Sequence, residues 1–397
     1  MTKAVLSNSS HPEYGVVSIP LPIPKEQYDG CTELLEALEI GVASNRDCHL
    51  DELHSPWPVL DRLEGTQVNL DELDYLAKRL DSFDDGEVAQ FQAMAEKLGL
   101  TSLKDLINLS FCCQQATVIT DFSDLESVGR SHYMNLNGGC ASLEELENVD
   151  GVESALLLIE GNQGVVTPYG VVYDNGMQLE QIYDGKHFPF YLYDDAVLSL
   201  GLISKGQPEN TKKATWLYLP ATRKQLERGM LRSGIQDPED MCFQVGSSEF
   251  PMEVDVALDF KQESIFDLND LAWAVSRLDR DDLQKLGAVV ALAEPENASQ
   301  IRCLAENLVL FQFAPGAHTP AEYGMFMIQQ SGHFEYDPNL DEFYDYEKYG
   351  LQYMNQEAGA FTDRGYVTYH GTVSLEVLMI GDLTKAPGEK YELQMGI

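Results

Sequence analysis

The chain has 397 residues, 44% of them hydrophobic and 10% aromatic, which is enough for a large apolar core and for two or more domains. Against that ordinary interior stand 65 Asp and Glu and only 26 Lys and Arg, a formal net charge of −39. No cluster of lysine and arginine is long enough for the phosphate contacts of direct nucleic-acid binding, so that function class is excluded.

Solubility alone needs far less acid, so the balance points to a basic partner. At one charge per ~1.7 Å of duplex, the surplus equals roughly 66 Å, or about 20 base pairs. Seven scattered cysteines, with Cys112 and Cys113 adjacent and no C-x-x-C pair, fit a reducing compartment. The N-terminal stretch MTKAVLSNSSHPEYG has no signal-peptide h-region, and no run approaches the ~18 apolar residues of a membrane span. The expectation is a cytoplasmic protein of a bacterial host, with no membrane partner.

In chain order, GVVSIPLPI (15–23) predicts an opening strand and KEQYDGCTELLEALEI (25–40) a helix. CHLDELH (48–54) offers Cys48, His49, Asp51, Glu52 and His54 as potential ligands, but its spacing matches no standard zinc site; a partly exposed loop or helix start is expected there. Leu70, Leu73, Leu76, Ala77 and Leu80 share one face of a predicted helix, which leaves Asp71, Glu72, Asp74 and Asp81 toward the others. Asp84 and Asp85 suit the start of the next helix, as do Asp281 and Asp282 further on. GVVTPYGVVY (164–173) is a Gly-flanked β piece, and SKGQPENTKK (204–213) is the clearest linker.

The same series then recurs. ATWLYLPA (214–221) predicts a strand, RKQLERGMLRSGI (223–235) a helix, and Leu268, Leu271, Ala272, Val275 and Leu278 a second apolar stripe. In FEYDPNLDEFYDYEKYG (334–350), Pro338 after an Asp337 N-cap predicts a helix. Leu340, Phe343, Tyr344 and Glu347 would share one side, and Asp341, Glu342, Asp345 and Lys348 would face outward, a row of carboxylates over phenolic rings. An ordinary amphipathic helix with a solvated acidic face explains the stretch equally well, whereas a calcium loop lacks the required spacing. GAFTDRGYVTYHG (359–371) closes the series as a second Gly-flanked β piece.

Leu21-Pro22 and Gln27 meet Leu219-Pro220 and Gln225 at an offset of 220 − 22 = 198, as does Arg79-Leu80-Asp81 with Arg277-Leu278-Asp279. Gly164, Thr167 and Gly170 meet Gly359, Thr362 and Gly365 at 359 − 164 = 195. The expected architecture is therefore a tandem duplication of α+β units in an elongated molecule: a first unit over 1–176, a connecting segment over 177–213 and a second unit over 214–397. No G-x-x-x-x-G-K-[ST], G-x-G-x-x-G or H-E-x-x-H motif is present, so the strongest local warrants for nucleotide or zinc chemistry are absent.

The segment FYDYEKYGLQYMNQEAGAFTDRGYVTYHG (343–371), preceded by AEYGMFMIQQSGHFE (321–335), resembles the C-terminal third of the ArdA antirestriction family. The shared features are a D-Y-x-x-Y-G motif and a following G-x-F…G-Y-V strand pair. ATWLYLPATRKQL and DLNDLAWAVSRL stand in the order and at the distances of that family, and the first unit follows the same plan, so the resemblance spans nearly both units.

It implies an acidic α+β protein without catalytic site or cofactor that mimics DNA and occupies the DNA-binding groove of Type I restriction-modification enzymes. It also places Asp341, Glu342, Asp345, Tyr346, Glu347, Tyr349 and Gly350 on the family's late motif, near the contact through which protomers pair. Two units in one chain imply an intrachain pseudo-dimer, or else a homodimer of whole chains. Opposite the late motif the first unit reads LENVDGVESA (146–155), keeping Glu147, Asp150 and Glu153 but no tyrosine.

The residues expected on the DNA-like acidic surface or at a unit contact are Asp71, Glu72, Asp74, Asp81, Asp84, Asp85, Asp279, Asp281, Asp282, Glu335, Asp337, Asp341, Glu342, Asp345, Tyr346, Glu347 and Tyr349. Competing readings are an acidic inhibitor of another DNA-binding defence complex such as a CRISPR effector, an acidic chaperone or scaffold for basic proteins, and a carboxylate-based hydrolase.

Overall fold

The computed structural model describes residues 2–206, 213–332 and 335–381 and is mixed α+β with several small sheets. Strand β1 (Thr2–Ser7) pairs antiparallel with β2 (Val16–Leu21) on one side and with β3 (Cys48–His54) on the other, and β4 (Gln67–Val68) completes the order β2-β1-β3-β4. Alternation sends Ala4, Leu6, Ile19, Leu21, Cys48 and Leu50 into the core. CHLDELH is thus a central strand rather than a loop or helix start. Its Cys48 and His49 point to opposite faces, and burial pushes the Cys48 thiol up to about 12.

Helices α1 (Tyr28–Ala37), α2 (Leu70–Asp81), α3 (Asp85–Leu98) and α4 (Leu103–Leu109) enclose this core. The predicted stripe of α2 is there: Leu70, Leu73, Leu76 and Leu80 are fully buried. Next come β5 (Thr117–Ile119), α5 (Leu125–Leu136), α6 (Leu143–Asn148), α7 (Gly151–Gly161), β6 (Val165–Thr167) and β7 (Gly170–Tyr173), with a sheet of order β5-β7-β6. Helices α5 and α7 cross through glycine: a Cβ on Gly129 would stand 1.8 Å from the Gly151 carbonyl oxygen.

The chain forms two compact units that do not follow the sequence boundaries. The first comprises Met1–Asp194, Leu202–Trp216 and Thr222–Gln236; the second comprises Asp195–Gly201, Leu217–Ala221 and Asp237–Ile397. Residues 177–194, expected as connection, are instead part of the first core: Tyr183 is fully buried and Phe188 stacks on Tyr183 and Tyr75. Helix α8 (Arg223–Ser233), expected to open the second unit, also belongs to the first, because its arginines find their carboxylates there. Of the predicted linker, 207–212 lie outside the described residues.

Strands β8 (Leu198–Ser204), β9 (Thr215–Leu219) and β10 (Met241–Ser248) form a sheet of order β10-β8-β9. The second unit continues with α9 (Met252–Ala257), α10 (Ile265–Val275), α11 (Arg280–Ala293), α12 (Ala298–Glu306), β11 (Phe311–Pro315), α13 (Pro320–Gln329), α14 (Tyr346–Met354), β12 (Gly359–Thr362), β13 (Gly365–Tyr369) and α15 (Leu375–Ile380). Its stripe on α10, Leu268, Leu271, Ala272 and Val275, is buried as expected. The late sheet has the order β11-β13-β12, and α13 crosses α14 through glycine: a Cβ on Gly350 would stand 1.9 Å from the Pro320 carbonyl oxygen. In both closing hairpins a threonine hydroxyl donates to a glycine carbonyl at 2.8 Å, Thr167 to Gly170 and Thr362 to Gly365. The Leu21–Pro22 and Leu219–Pro220 peptides are both cis.

Candidate functional site

Three groups of carboxylates come out of the folding with different chemistry. On α2, Asp71, Glu72 and Asp74 were expected to face outward; Glu72 and Asp74 are instead buried, and Asp71 is largely covered. Cations from distant segments neutralise Asp71 and Glu72, and Lys78 of the same helix neutralises Asp74, as an interior of low polarity requires. Arg228 holds Asp71 with two bonds of 2.9 Å from Nη2 and donates from Nη1 to the Gly41 carbonyl at 2.6 Å. Glu72 accepts from Arg46 Nε and Nη2 at 3.2 Å and from the Tyr183 hydroxyl at 2.7 Å.

Arg232 sits at the centre of this network. Its guanidinium donates to the carbonyls of Ala43 and Lys186 and to Asn69 Oδ1, each at 2.9 Å, and to the Tyr183 hydroxyl, and it lies 3.9 Å from the Phe188 ring centre. Asp74 accepts from the Ile23 amide at 2.6 Å and pairs with Lys78 at 3.3 Å; burial nevertheless raises its carboxyl above the ordinary value. None of these three carboxylates can meet a macromolecular partner. Asp71 and Glu72 anchor α8 to the first core through Arg228 and Arg232.

The second group stands in solvent at helix corners. Asp84 caps α3 by accepting from the Glu87 amide at 2.9 Å, while the Glu87 carboxylate accepts from the Asp84 amide at 3.1 Å. Asp81, at the end of α2, accepts from the Tyr193 hydroxyl at 2.5 Å, and Asp85 lies beside the cap. In the second unit Asp279 caps α11, with the amides of Asp281 and Asp282 each donating at 2.9 Å. Asp81, Asp84, Asp85, Asp279 and Asp281 are exposed and Asp282 is half-buried. Local sequence was sufficient here, because an N-cap needs only its own next three residues.

The third group is the late acidic-aromatic stretch, and here the expected single helix is two pieces. Asp337 caps a 3₁₀ turn over Pro338–Phe343; Tyr344 is then extended, and Asp345 caps α14. A second capping aspartate restarts the helix and rotates the faces. Leu340 and Phe343 are 47% and 79% exposed, so they do not form a ring layer beneath the acids.

The phenols instead converge on one carboxylate. Asp341 Oδ1 accepts from the Tyr336 hydroxyl at 2.7 Å, from Gln329 Nε2 at 3.0 Å and from the Tyr346 hydroxyl. The Tyr346 and Tyr336 bonds hold the Asp341 carboxyl below the usual range, so it stays charged and fixed in direction. Glu335, Asp337, Glu342, Asp345 and Glu347 are exposed, while Tyr346 and Tyr349 are half-buried, the Tyr349 ring 4.8 Å from that of Tyr353.

Sequence reasoning missed Gln329 and Tyr336 as partners of Asp341, and Arg228, Arg232 and Tyr183 as partners of α2. The one local signal was two arginines four residues apart on one helix. Among the described residues, no group of three His, Cys, Asp or Glu is placed to hold a metal ion, and no helix is long and apolar enough to cross a membrane. No protein-family model matches the chain, and no curated protein matches it.

Proposed function

We propose that this chain is an antirestriction DNA mimic of the ArdA kind, which inhibits Type I restriction-modification enzymes by occupying their DNA-binding groove. The observation that carries the reading is where the excess charge must lie. If every cation neutralises one acid, 65 − 26 = 39 carboxylates remain uncompensated. Among the described residues only Glu72 and Asp74 are buried carboxylates, and both have cationic partners, so the surplus is solvent-facing. Carboxylates at the two capped corners and in the late stretch then stand in for phosphates toward lysines and arginines of the groove, and long-range attraction speeds the encounter.

The reading includes a tandem duplication. It is supported by the matching sheet orders β5-β7-β6 and β11-β13-β12, by the two glycine-mediated helix crossings, and by the two threonine-glycine hairpins. The crossings keep the offset of 195, since a Cβ on Gly129 meets the Gly151 carbonyl and one on Gly324 meets that of Tyr346, in register with the pairing of LENVDGVESA with DEFYDYEKYG.

The test is plasmid restriction and methylation by a purified Type I enzyme, with this protein titrated in and competing duplex as a second variable. Stoichiometric inhibition that added duplex relieves is expected. Inhibition of neither activity by the folded protein would overturn the reading and favour another DNA-binding defence complex as target.

A further inference from the structure

Helix α7 buries Gly151, Ala155 and Leu158 against its neighbours but leaves Val152 and Leu156 42% and Leu157 65% exposed. These three line a shallow surface groove whose remaining walls are Asp150, Glu153 and Glu160. Leucines thus alternate with carboxylates along one outward face: Leu157 is four residues after Glu153 and three before Glu160, so all three lie on one side of the helix. Further large apolar side chains are exposed nearby in sequence, Leu143 by 80% and Val166 by 81%. From Ser131 to Gly185 the sequence has no lysine or arginine and nine acids (Glu144, Glu145, Glu147, Asp150, Glu153, Glu160, Asp174, Glu180 and Asp184), of which Asp174 pairs with Lys97 and Asp184 with Lys213, while Arg130 on the neighbouring α5 pairs with Glu126.

We infer that the exposed face of α7 docks a basic amphipathic helix of a protein partner, its apolar side on Val152, Leu156 and Leu157 and its lysines or arginines on Asp150, Glu153 and Glu160. Complementarity of charge selects this occupant. The same face of a second copy would set Asp150, Glu153 and Glu160 against their own counterparts, whereas a cationic helix satisfies both the carboxylates and the leucines. The inference goes beyond the proposed function, because duplex DNA offers no leucine to imitate: this face would add apolar affinity that a pure phosphate surrogate lacks, and it holds whichever basic enzyme is the target.

The probes are three synthetic peptides of equal charge: an amphipathic helix with leucine on one side and lysine on the other, its scrambled isomer, and oligolysine with neutral spacers. Calorimetric titration into the full chain should show the amphipathic peptide binding about tenfold more tightly than the scrambled one, the least expected from burying one leucine side chain. Leu157→Ser should abolish that preference while leaving oligolysine binding unchanged, and with 65% of the residue exposed the variant should keep its melting temperature. Val152→Ser provides a second variant, should Leu157→Ser fold poorly.

Equal affinity for the amphipathic and scrambled peptides would overturn the inference. So would a concentration-dependent dimer, seen by sedimentation and lost in Leu157→Ser, since the face would then be covered by a second copy. Restriction inhibition is measured in parallel: if it persists while peptide preference is absent, only the docking inference fails, and if it is absent while the preference persists, only the DNA-mimic reading fails.

Discussion

Arg232 spends its whole guanidinium inside the first unit, on two carbonyls, an asparagine oxygen and a tyrosine hydroxyl, with Glu72 3.8 Å away. Truncating it takes the donor from two carbonyls, Asn69 Oδ1 and the Tyr183 hydroxyl in a buried site, so Arg232→Ala should cost about 3–5 kcal/mol in denaturant unfolding. Asp184 provides a pH signature. Burial by itself would raise its carboxyl, but the amides and side chain of His187, the Lys186 amide and Lys213 outweigh that and hold it well below the usual carboxylate range. A depressed carboxyl contributes stability above its unfolded value of about 3.9, and that stability is lost as pH falls through the folded value. Asp184→Asn should therefore lower the unfolding midpoint at neutrality and flatten its fall below about pH 4, where the two proteins converge.

At the scale of elements, the two helix crossings depend on glycine for reasons of distance. A Cβ on Gly350 would lie 1.9 Å from the Pro320 carbonyl oxygen and one on Gly324 1.9 Å from that of Tyr346, and backbone cannot rotate aside as a side chain does. Gly350→Ala should force α13 and α14 apart and lower stability by at least ~1–3 kcal/mol, read as a loss of melting temperature. The mixed corners are different in kind: Asp84 and Asp279 combine a capping role with exposed charge. Substituting asparagine keeps the cap and removes the charge, so Asp84→Asn and Asp279→Asn should leave stability within about 0.5 kcal/mol and separate the two roles.

For the molecule as a whole, charge makes two opposite predictions. Salt should weaken binding to a basic groove, by at least about tenfold between 50 and 200 mM if several charges are matched, by analogy with the salt slope of phosphate contacts. The same salt should raise the protein's own melting temperature, because it screens the repulsion of a −39 chain. Inhibition that stays flat over that range would remove the DNA-mimic reading. Because the potential is summed over many carboxylates, neutralising Asp85 or Asp281 singly should change inhibition by less than about threefold, and neutralising both corners together by much more.

What the sequence by itself determined is whatever depends on near neighbours or on totals. The charge surplus is a sum; the apolar stripes of α2 and α10 follow from helical period; the caps at Asp84, Asp279 and Asp337 need only the next few residues. The tertiary structure alone decided which acids are available. Asp71 meets Arg228 across 157 residues of chain and Tyr183 meets Glu72 across 111, so two carboxylates that local period placed in solvent became parts of interior networks, while Asp74 is buried beside Lys78 of its own helix. The same long-range pairing moved α8 into the first unit, and the same convergence gave Asp341 its three donors. A helix period specifies which residues share a face, but the groups opposite that face arrive by chain folding, and for a buried charge the opposite group settles everything.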